Sequence, residues 1–336
     1  MTVQFVNLTQ PLDLPEIKRS LRNLSVFEII PCGPRWIKMQ LLRYCIENLP
    51  NLEIVGGDIT RMDQYDMLHS GCDLKFSQTS KLRHMSVILN HREIPFTDGD
   101  LHLKFPNITH LKIKWSEYWT HDEREINAML RFSQVEFLIL DSVPSAKVLK
   151  QFLTAYGKNL LTLHLENNVG ILQTYGSILH SCLKLERLQL SRLELNRNLE
   201  LLPISAELRV LQVYFPKTSC GKLLSSILPS APKLEEVDLW GELNVEDLAT
   251  ASRLIAERKI LQNLKRLTIR FNLGNHYSSK EDKNSYCEAV NELVKNCIAF
   301  LPKLEDVGYN APFWGQEEGE EVLHKMLRLL DENRIL

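Results

Sequence analysis

The sequence predicts an α/β solenoid, built from about eleven short strand–helix units that follow one another along the chain. Two observations predict this fold class. One spacing recurs: an apolar residue, two variable residues, a second apolar residue, one variable residue and a third apolar residue. A stretch with helical periodicity precedes most of these motifs. The first apolar positions of the motifs are Leu21, Leu49, Leu82, Ile108, Val135, Leu160, Leu185, Leu208, Leu234, Leu264 and Leu304.

The spacing inside each motif is that of a strand, since its last two apolar positions lie two residues apart and face the same side. The preceding stretches, such as 148–153 and 289–294, repeat apolar residues at helical spacing. One such unit cannot bury enough apolar surface alone, so each is expected to pack on its neighbours. Most intervals between motifs fall within or near the roughly 20–29 residues typical of leucine-rich repeats. We therefore expect a leucine-rich-repeat solenoid with a parallel concave sheet and convex helices.

The ends of such an array need covering, because the last units would otherwise expose their apolar faces to water. We predict an N-terminal cap at 1–20, the repeat array at 21–310 and a C-terminal cap helix at 311–336. Three stretches are longer than a repeat needs and are interpreted as loops, at 90–106, 115–125 and 274–285.

Composition narrows the class of protein. The 336 residues carry 40 Lys+Arg and 42 Asp+Glu, for a net charge of -2, whereas dedicated nucleic-acid binders usually have a basic face. No apolar run approaches the roughly 18 residues that a membrane span needs. The start of the sequence lacks a signal-peptide pattern, and the seven cysteines form no C-x-x-C pair. These features favour free thiols in a reducing compartment, cytoplasmic or nuclear.

Three segments indicate the type of repeat: LLRYCIENLPNLEIV, ILHSCLKLERLQL and VKNCIAFLPKLEDV. They place Cys45, Cys182 and Cys297 on a helix, directly before Leu-x-x-Leu-x-apolar on a strand. This pattern resembles the cysteine-containing, ribonuclease-inhibitor-like leucine-rich repeats of F-box proteins. The resemblance covers nearly the whole chain, as a resemblance of repeat type.

The resemblance implies a role in ubiquitination, because repeats of that family hold substrates of a cullin-type ubiquitin ligase. An F-box near the N-terminus binds the Skp1-type adaptor there. The segment 14–26, LPEIKRSLRNLSV, begins with a similar spacing but runs directly into the first repeat. No complete F-box is found, so an adaptor would be expected only if the box lies outside this chain.

Catalytic motifs are not found in the sequence. It contains no P-loop, no G-x-G-x-x-G, no G-x-S-x-G and no H-E-x-x-H. The polar cluster at 121–123 is interpreted as the solvated start of a helix. We expect no catalytic residues, no cofactor and no metal ligands, and therefore no enzyme.

The candidate binding residues lie at the third, fifth and seventh places of the later motifs, which should point away from the core. Aromatic residues, arginines and acids recur there, and Trp, Tyr and Arg are the types that dominate interface energetics. The other interpretation is that aromatics after each strand pack back into the core. The candidates are His164, Glu166, Arg187, Gln189, Gln212, Tyr214, Glu236, Asp238, Trp240, Arg266, Arg270, Phe271, Phe313 and Trp314.

These residues suggest a non-catalytic scaffold that binds a protein or peptide on its concave face. Its most specific form is the substrate-recognition part of an F-box-type ubiquitin ligase. The alternative is a nucleic-acid or small-ligand receptor that uses basic strand-edge residues. Those residues are Lys112, Lys114, Arg187, Arg192, Arg266 and Arg270.

Overall fold

Short parallel strands alternate with helices along the chain in a computed structural model. The structure describes residues 25–27, 45–46, 49, 51–55, 68–69, 79–89, 100–116, 123–167, 175–191, 205, 207–215, 223–241, 243–270 and 280–310. Both predicted caps, at 1–20 and 311–336, lie outside the described residues, so they stay predictions. The chain forms two compact units, Met1–Leu160 (unit 1) and Leu161–Leu336 (unit 2).

Unit 1 contains two groups of parallel strands. The first two strands, β1 (Val26–Phe27) and β2 (Ile54–Val55), pair with each other. The next four lie side by side in chain order: β3 (Leu68–His69), β4 (His84–Leu89), β5 (His110–Trp115) and β6 (Phe137–Asp141). The helices are α1 (Leu101–Lys104), α2 (Glu123–Met129) and α3 (Ala146–Tyr156).

The described residues of unit 2 form six parallel strands that lie side by side in chain order. They are β7 (Thr162–Glu166), β8 (Arg187–Ser191), β9 (Val210–Phe215), β10 (Glu236–Gly241), β11 (Arg266–Arg270) and β12 (Asp306–Asn310). The helices are α4 (Tyr175–Ser181), α5 (Leu223–Ser230), α6 (Val245–Ala256) and α7 (Lys280–Phe300).

The apolar positions of the motifs form the core, as the spacing predicts. In the motif of β8, Leu185, Leu188 and Leu190 are all fully buried. The helices also follow the predicted periodicity: α3 begins where the Ser145 hydroxyl caps the Val148 N–H, and it buries Leu149 and Phe152 on one face. Every one of the eleven motifs has a strand within it or at its end. The fold class is therefore confirmed as an α/β leucine-rich-repeat solenoid.

All three predicted loops are partly wrong. The stretch 90–106 contains α1 (Leu101–Lys104), and the other two overlap a strand or a helix at their ends. The stretch 115–125 begins with Trp115, which is the buried last residue of β5, and ends inside α2. The acidic residues Glu123 and Glu125 occupy the first turn of α2, where the helix dipole favours negative charge. The stretch 274–285 overlaps α7, which begins at Lys280, because polar residues can form a helix ahead of its apolar stripe.

The outer face of β4–β6 in unit 1 is not exposed. Alternation along a strand would leave Ser86, Lys112 and Ile139 facing away from the helices, yet all three are buried. Lys114 points the same way, and its ammonium lies 3.1 Å from Oδ2 of the buried Asp141. The expectation that Lys112 offers a free basic contact is therefore wrong.

Two histidine rings stack on this face of unit 1. The ring centroids of His84 and His110 are 4.1 Å apart, and the Phe137 ring lies 5.0 Å beyond His110. Burial lowers the pKa of His110, and the positive charge of Arg83 lowers it further, while Glu136 acts in the opposite direction. The folded protein therefore favours the neutral imidazole.

We expect unit 1 to lose stability as the pH falls below about 6.5, the ordinary histidine pKa. The folded-state pKa of His110 is lower than its unfolded-state value, so the unfolded chain binds the proton more readily. The stabilisation that neutral His110 contributes is fully present above the pKa of the unfolded state. It is lost as the pH falls towards and through the pKa of the folded state. Urea unfolding at pH 7.5 and at pH 5.5 measures this loss of stability. His110→Phe keeps a stacked ring but should reduce the pH dependence; an unchanged dependence would contradict the assignment.

Candidate functional site

The outward residues of unit 2 form three rows across its sheet, and the face that they form is called the open face below. The first row is Thr162, Arg187, Val210, Glu236, Arg266 and Asp306. The middle row is His164, Gln189, Gln212, Asp238, Thr268 and Gly308. The third row is Glu166, Ser191, Tyr214, Trp240 and Arg270.

A pocket of about 500 Å³ opens on the middle and third rows. This volume lies in the range of small-ligand sites. The pocket brings together half of the residues that the sequence singles out, because parallel strands in register place equivalent repeat positions side by side. They are Glu166, Gln189, Gln212, Tyr214, Asp238, Trp240 and Arg270.

Two aromatic rings form one wall of this pocket. Tyr214 and Trp240 are paired across β9 and β10, with ring centroids 4.7 Å apart and planes at 72°, an edge-to-face contact. Trp240 is nevertheless 46% exposed, although a large apolar side chain gains by burial. The alternative interpretation, that the aromatics pack into the core, does not hold for Trp240.

Asp238 lines the pocket, and the neighbouring groups offset only part of its negative charge. Its Oδ2 is 3.4 Å from a guanidinium nitrogen of Arg270, which reaches diagonally from the neighbouring strand. Its Oδ1 is buried and accepts no hydrogen bond from any described residue. Burial raises the pKa of Asp238, and the charge of Arg270 offsets only part of this rise. A buried carboxylate oxygen without a donor is costly, so the site favours an additional cation or donor.

The first row carries a separate ion pair outside the pocket. Arg266 pairs with Glu236 on the neighbouring strand, and both side chains are partly exposed. Arg187 lies exposed on the same row. Opposite charges directly across neighbouring strands stabilise a sheet modestly. These three predicted site residues are therefore on the open face, beside the pocket rather than in it.

Four of the predicted site residues are not placed on an accessible surface. His164 belongs to the middle row but is only 4% exposed, so the expectation that it contacts a partner is wrong for this conformation. A row position sets the direction of a side chain, whereas exposure depends on everything around it, and all three central residues of β7 are buried. Phe271, Phe313 and Trp314 lie outside the described residues.

Asn167 is a polar residue of the pocket that the sequence did not single out. Asn167 follows β7 directly, with φ at 52°, and its N–H donates to the Ser191 carbonyl at 3.1 Å. Asparagine tolerates this left-handed backbone better than most residues. An Asn immediately after a strand was the available signal, since it marks where the chain turns away from the sheet.

Three of the six basic residues behind the nucleic-acid alternative pair with acidic side chains. Lys114 pairs with Asp141, Arg266 with Glu236, and Arg270 with Asp238. Arg192 lies outside the described residues. A phosphate backbone is bound by uncompensated Lys and Arg that release counterions, so this set is a poor match for it.

The buried cysteines belong to the core. Cys45, Cys182 and Cys297 are free thiols, and burial raises the pKa of each to about 12. A thiol with this pKa stays protonated at neutral pH and is a poor nucleophile. Within the described ranges, no three His, Cys, Asp or Glu side chains are arranged to hold a metal ion. The helices in those ranges include none that is both long and apolar enough to cross a membrane.

Comparisons with known proteins find likenesses among solved structures. No protein-family model matches the chain. A comparison with curated protein sequences finds no match. Among solved structures, the chain is similar to one described as "Crystal structure of TLR13-ssRNA13 complex", with 14% sequence identity and a TM-score of 0.42. The likeness covers 80% of this chain and 41% of that one, so this chain spans less than half of its length.

Proposed function

We propose that this chain is a non-catalytic binding scaffold that recognises a protein or peptide on the open face of unit 2. The observation that carries the proposal is the exposure of Trp240 beside Tyr214 and Arg270 in one pocket. Aromatic and arginine side chains in a shared pocket are the usual anchors of protein interfaces. The sequence predicts this face to be the concave one.

The most specific form of the proposal is a substrate-recognition part of an F-box-type ubiquitin ligase. What supports it is the repeat type: Cys45, Cys182 and Cys297 are buried, and each backbone carbonyl accepts a hydrogen bond from the N–H of the leucine that begins the next motif or directly follows the helix. These leucines are Leu49, Leu185 and Leu301. A Skp1-type adaptor would then join through an F-box elsewhere. We place this activity in the cytoplasm or nucleus, where thiols stay reduced.

Site-specific photo-crosslinking tests the proposal. A photoreactive residue at Ser191, on the open face, is expected to capture a protein from extracts of the source cells, whereas one at the exposed Glu292 on α7 is not. The captured protein should be identified and then titrated in purified form. Trp240→Ala should weaken that binding by roughly 30-fold, about 2 kcal/mol, as for other interface anchors.

Leu183→Ala is the matched control, because Leu183 is also apolar and 71% exposed but lies in the turn before β8. It should leave the affinity unchanged. Equal capture at Ser191 and Glu292, or equal losses for the two variants, would contradict an open-face interface. The identity of the captured protein also tests the ligase form, which requires a ubiquitination substrate.

A further inference from the structure

We propose that the pocket on unit 2 takes an arginine side chain of the partner, which sits between the Asp238 carboxylate and the Trp240 ring. The inference rests on the proposed function, since it names the chemistry that the same face recognises. It comes from four observations: the partly offset charge of Asp238, the charges around it, the exposed ring of Trp240 and the nearby amides of Gln189 and Gln212.

The carboxylate provides the main requirement. Oδ1 of Asp238 has no donor among the described residues, and the single cation at Oδ2 lies at the long distance of 3.4 Å. A second cation at this carboxylate would complete its compensation. The Asp238 side chain is still 28% exposed, so a guanidinium, which carries five N–H donors in a fixed plane, can approach it from the pocket.

The charges that line the pocket also favour a cation. Asp238 is held by the Arg270 guanidinium at the long distance of 3.4 Å, and a further cation would offset the rest of its charge. An acidic or phosphorylated side chain would add a like charge beside a partly buried carboxylate, and like charges in such a site are disfavoured. Charge complementarity therefore selects a basic residue of the partner.

The ring and the amides distinguish arginine from lysine. Tyr214 meets Trp240 edge to face, and Trp240 keeps 46% of its surface exposed to receive a planar cation. Arginine stacks on aromatic faces more readily than lysine does. Gln189 and Gln212, which line the same pocket, can each present a carbonyl oxygen to the remaining N–H groups.

The test uses N-acetyl-arginine amide as the probe and the indole N–H signal of Trp240 in NMR spectra of the full chain as the reporter. That signal is assigned by its loss in Trp240→Phe. We expect a saturable shift with the arginine probe, a weaker response to the lysine analogue, and none with glutamate or citrulline amides. Citrulline is the sharpest control, because it matches the shape of arginine without the charge. A response to citrulline equal to that of arginine, or no saturable response, overturns the inference.

Two variants locate the binding. Asp238→Asn should weaken arginine binding at least tenfold, whereas Glu292→Gln, an exposed carboxylate on α7 outside the pocket, should not. Lowering the pH should weaken the binding in the wild type, because protonation of Asp238 removes its charge. Asp238→Asn should reduce that pH dependence, although Glu166 still lines the pocket. An equal pH dependence in Asp238→Asn and the wild type, or equal losses of affinity in both variants, overturns the assignment.

The two proposals can fail separately. Crosslinking at Ser191 without selectivity for arginine would support the interaction face but contradict the arginine site. Arginine binding without crosslinking would support the arginine site in the pocket but contradict the proposed function. Saturable binding of a uridine hexanucleotide at the Trp240 signal, with no response to arginine, would overturn both in favour of nucleic acid.

Discussion

Phe152→Ala is expected to lower the free energy of unfolding by about 3–5 kcal/mol, the range for removing a buried aromatic ring. Phe152 lies on α3 and has no exposed surface. Its ring meets Trp115 edge to face with centroids 5.8 Å apart, and the Tyr156 ring lies 6.1 Å away. The Tyr156 hydroxyl in turn donates to the Met129 carbonyl, so the cavity would adjoin a hydrogen-bonded neighbour that cannot easily move.

Urea unfolding followed by circular dichroism measures the loss, and hydrogen exchange of peptides from 110–156 shows where it falls. Leu103→Ala is the matched control, since Leu103 lies on α1 of the same unit and is 57% exposed. Surface changes of this kind usually stay within about 0.5 kcal/mol. A similar loss for both variants, or a loss below about 1 kcal/mol for Phe152→Ala, would mean that this cluster does not hold unit 1 together.

The strands could be predicted from the sequence because their signal is local. Leu188 and Leu190 are two residues apart, Leu185 precedes them, and all three reach the core through contacts that the repeat itself provides. The strand β3 could not be predicted, because it spans only Leu68–His69 and is too short to show the alternation typical of a strand. A helix start inside a polar stretch, as at Lys280, gives no apolar pattern to recognise.

Exposure could not be predicted in the same way. Lys112 of β5 and Gln189 of β8 occupy equivalent outward positions in their motifs, yet Lys112 is buried and Gln189 lines a pocket. The residues that cover a strand face come from elsewhere in the chain. The sequence of the strand itself therefore does not indicate whether its outer face is buried. His164 illustrates the same limit within unit 2.

The pocket could be predicted only in part. Parallel register brings equivalent positions together, so a shared patch of Tyr214, Trp240 and Arg270 could be predicted. The diagonal contact of Arg270 with Asp238 could not, because it depends on side-chain reach rather than on register. The electrostatic state of Asp238, on which the arginine site depends, follows from that contact and from burial.

Asp247→Ala is expected to cost about 2–4 kcal/mol of stability in unit 2, since it leaves a buried helix end without its acceptor. Asp247 lies on α6 but caps the preceding helix: its Oδ2 accepts from the Leu224 N–H at 2.6 Å, and its Oδ1 from the Ser225 N–H at 2.9 Å. The Ser225 hydroxyl also donates to Oδ1, at 2.6 Å. The carboxylate is only 2% exposed, so water cannot replace it without rearrangement.

This contact makes one repeat depend on the next, since the N-terminus of α5 is satisfied by a side chain of α6. Charged acceptors at a helix N-terminus also gain from its dipole. Hydrogen exchange in 223–230 should therefore accelerate in Asp247→Ala, although the substitution lies on α6. Glu246→Ala, one residue away and exposed, should change stability by less than about 0.5 kcal/mol. If α5 exchanged no faster in Asp247→Ala than in Glu246→Ala, the two helices would not be coupled through this carboxylate.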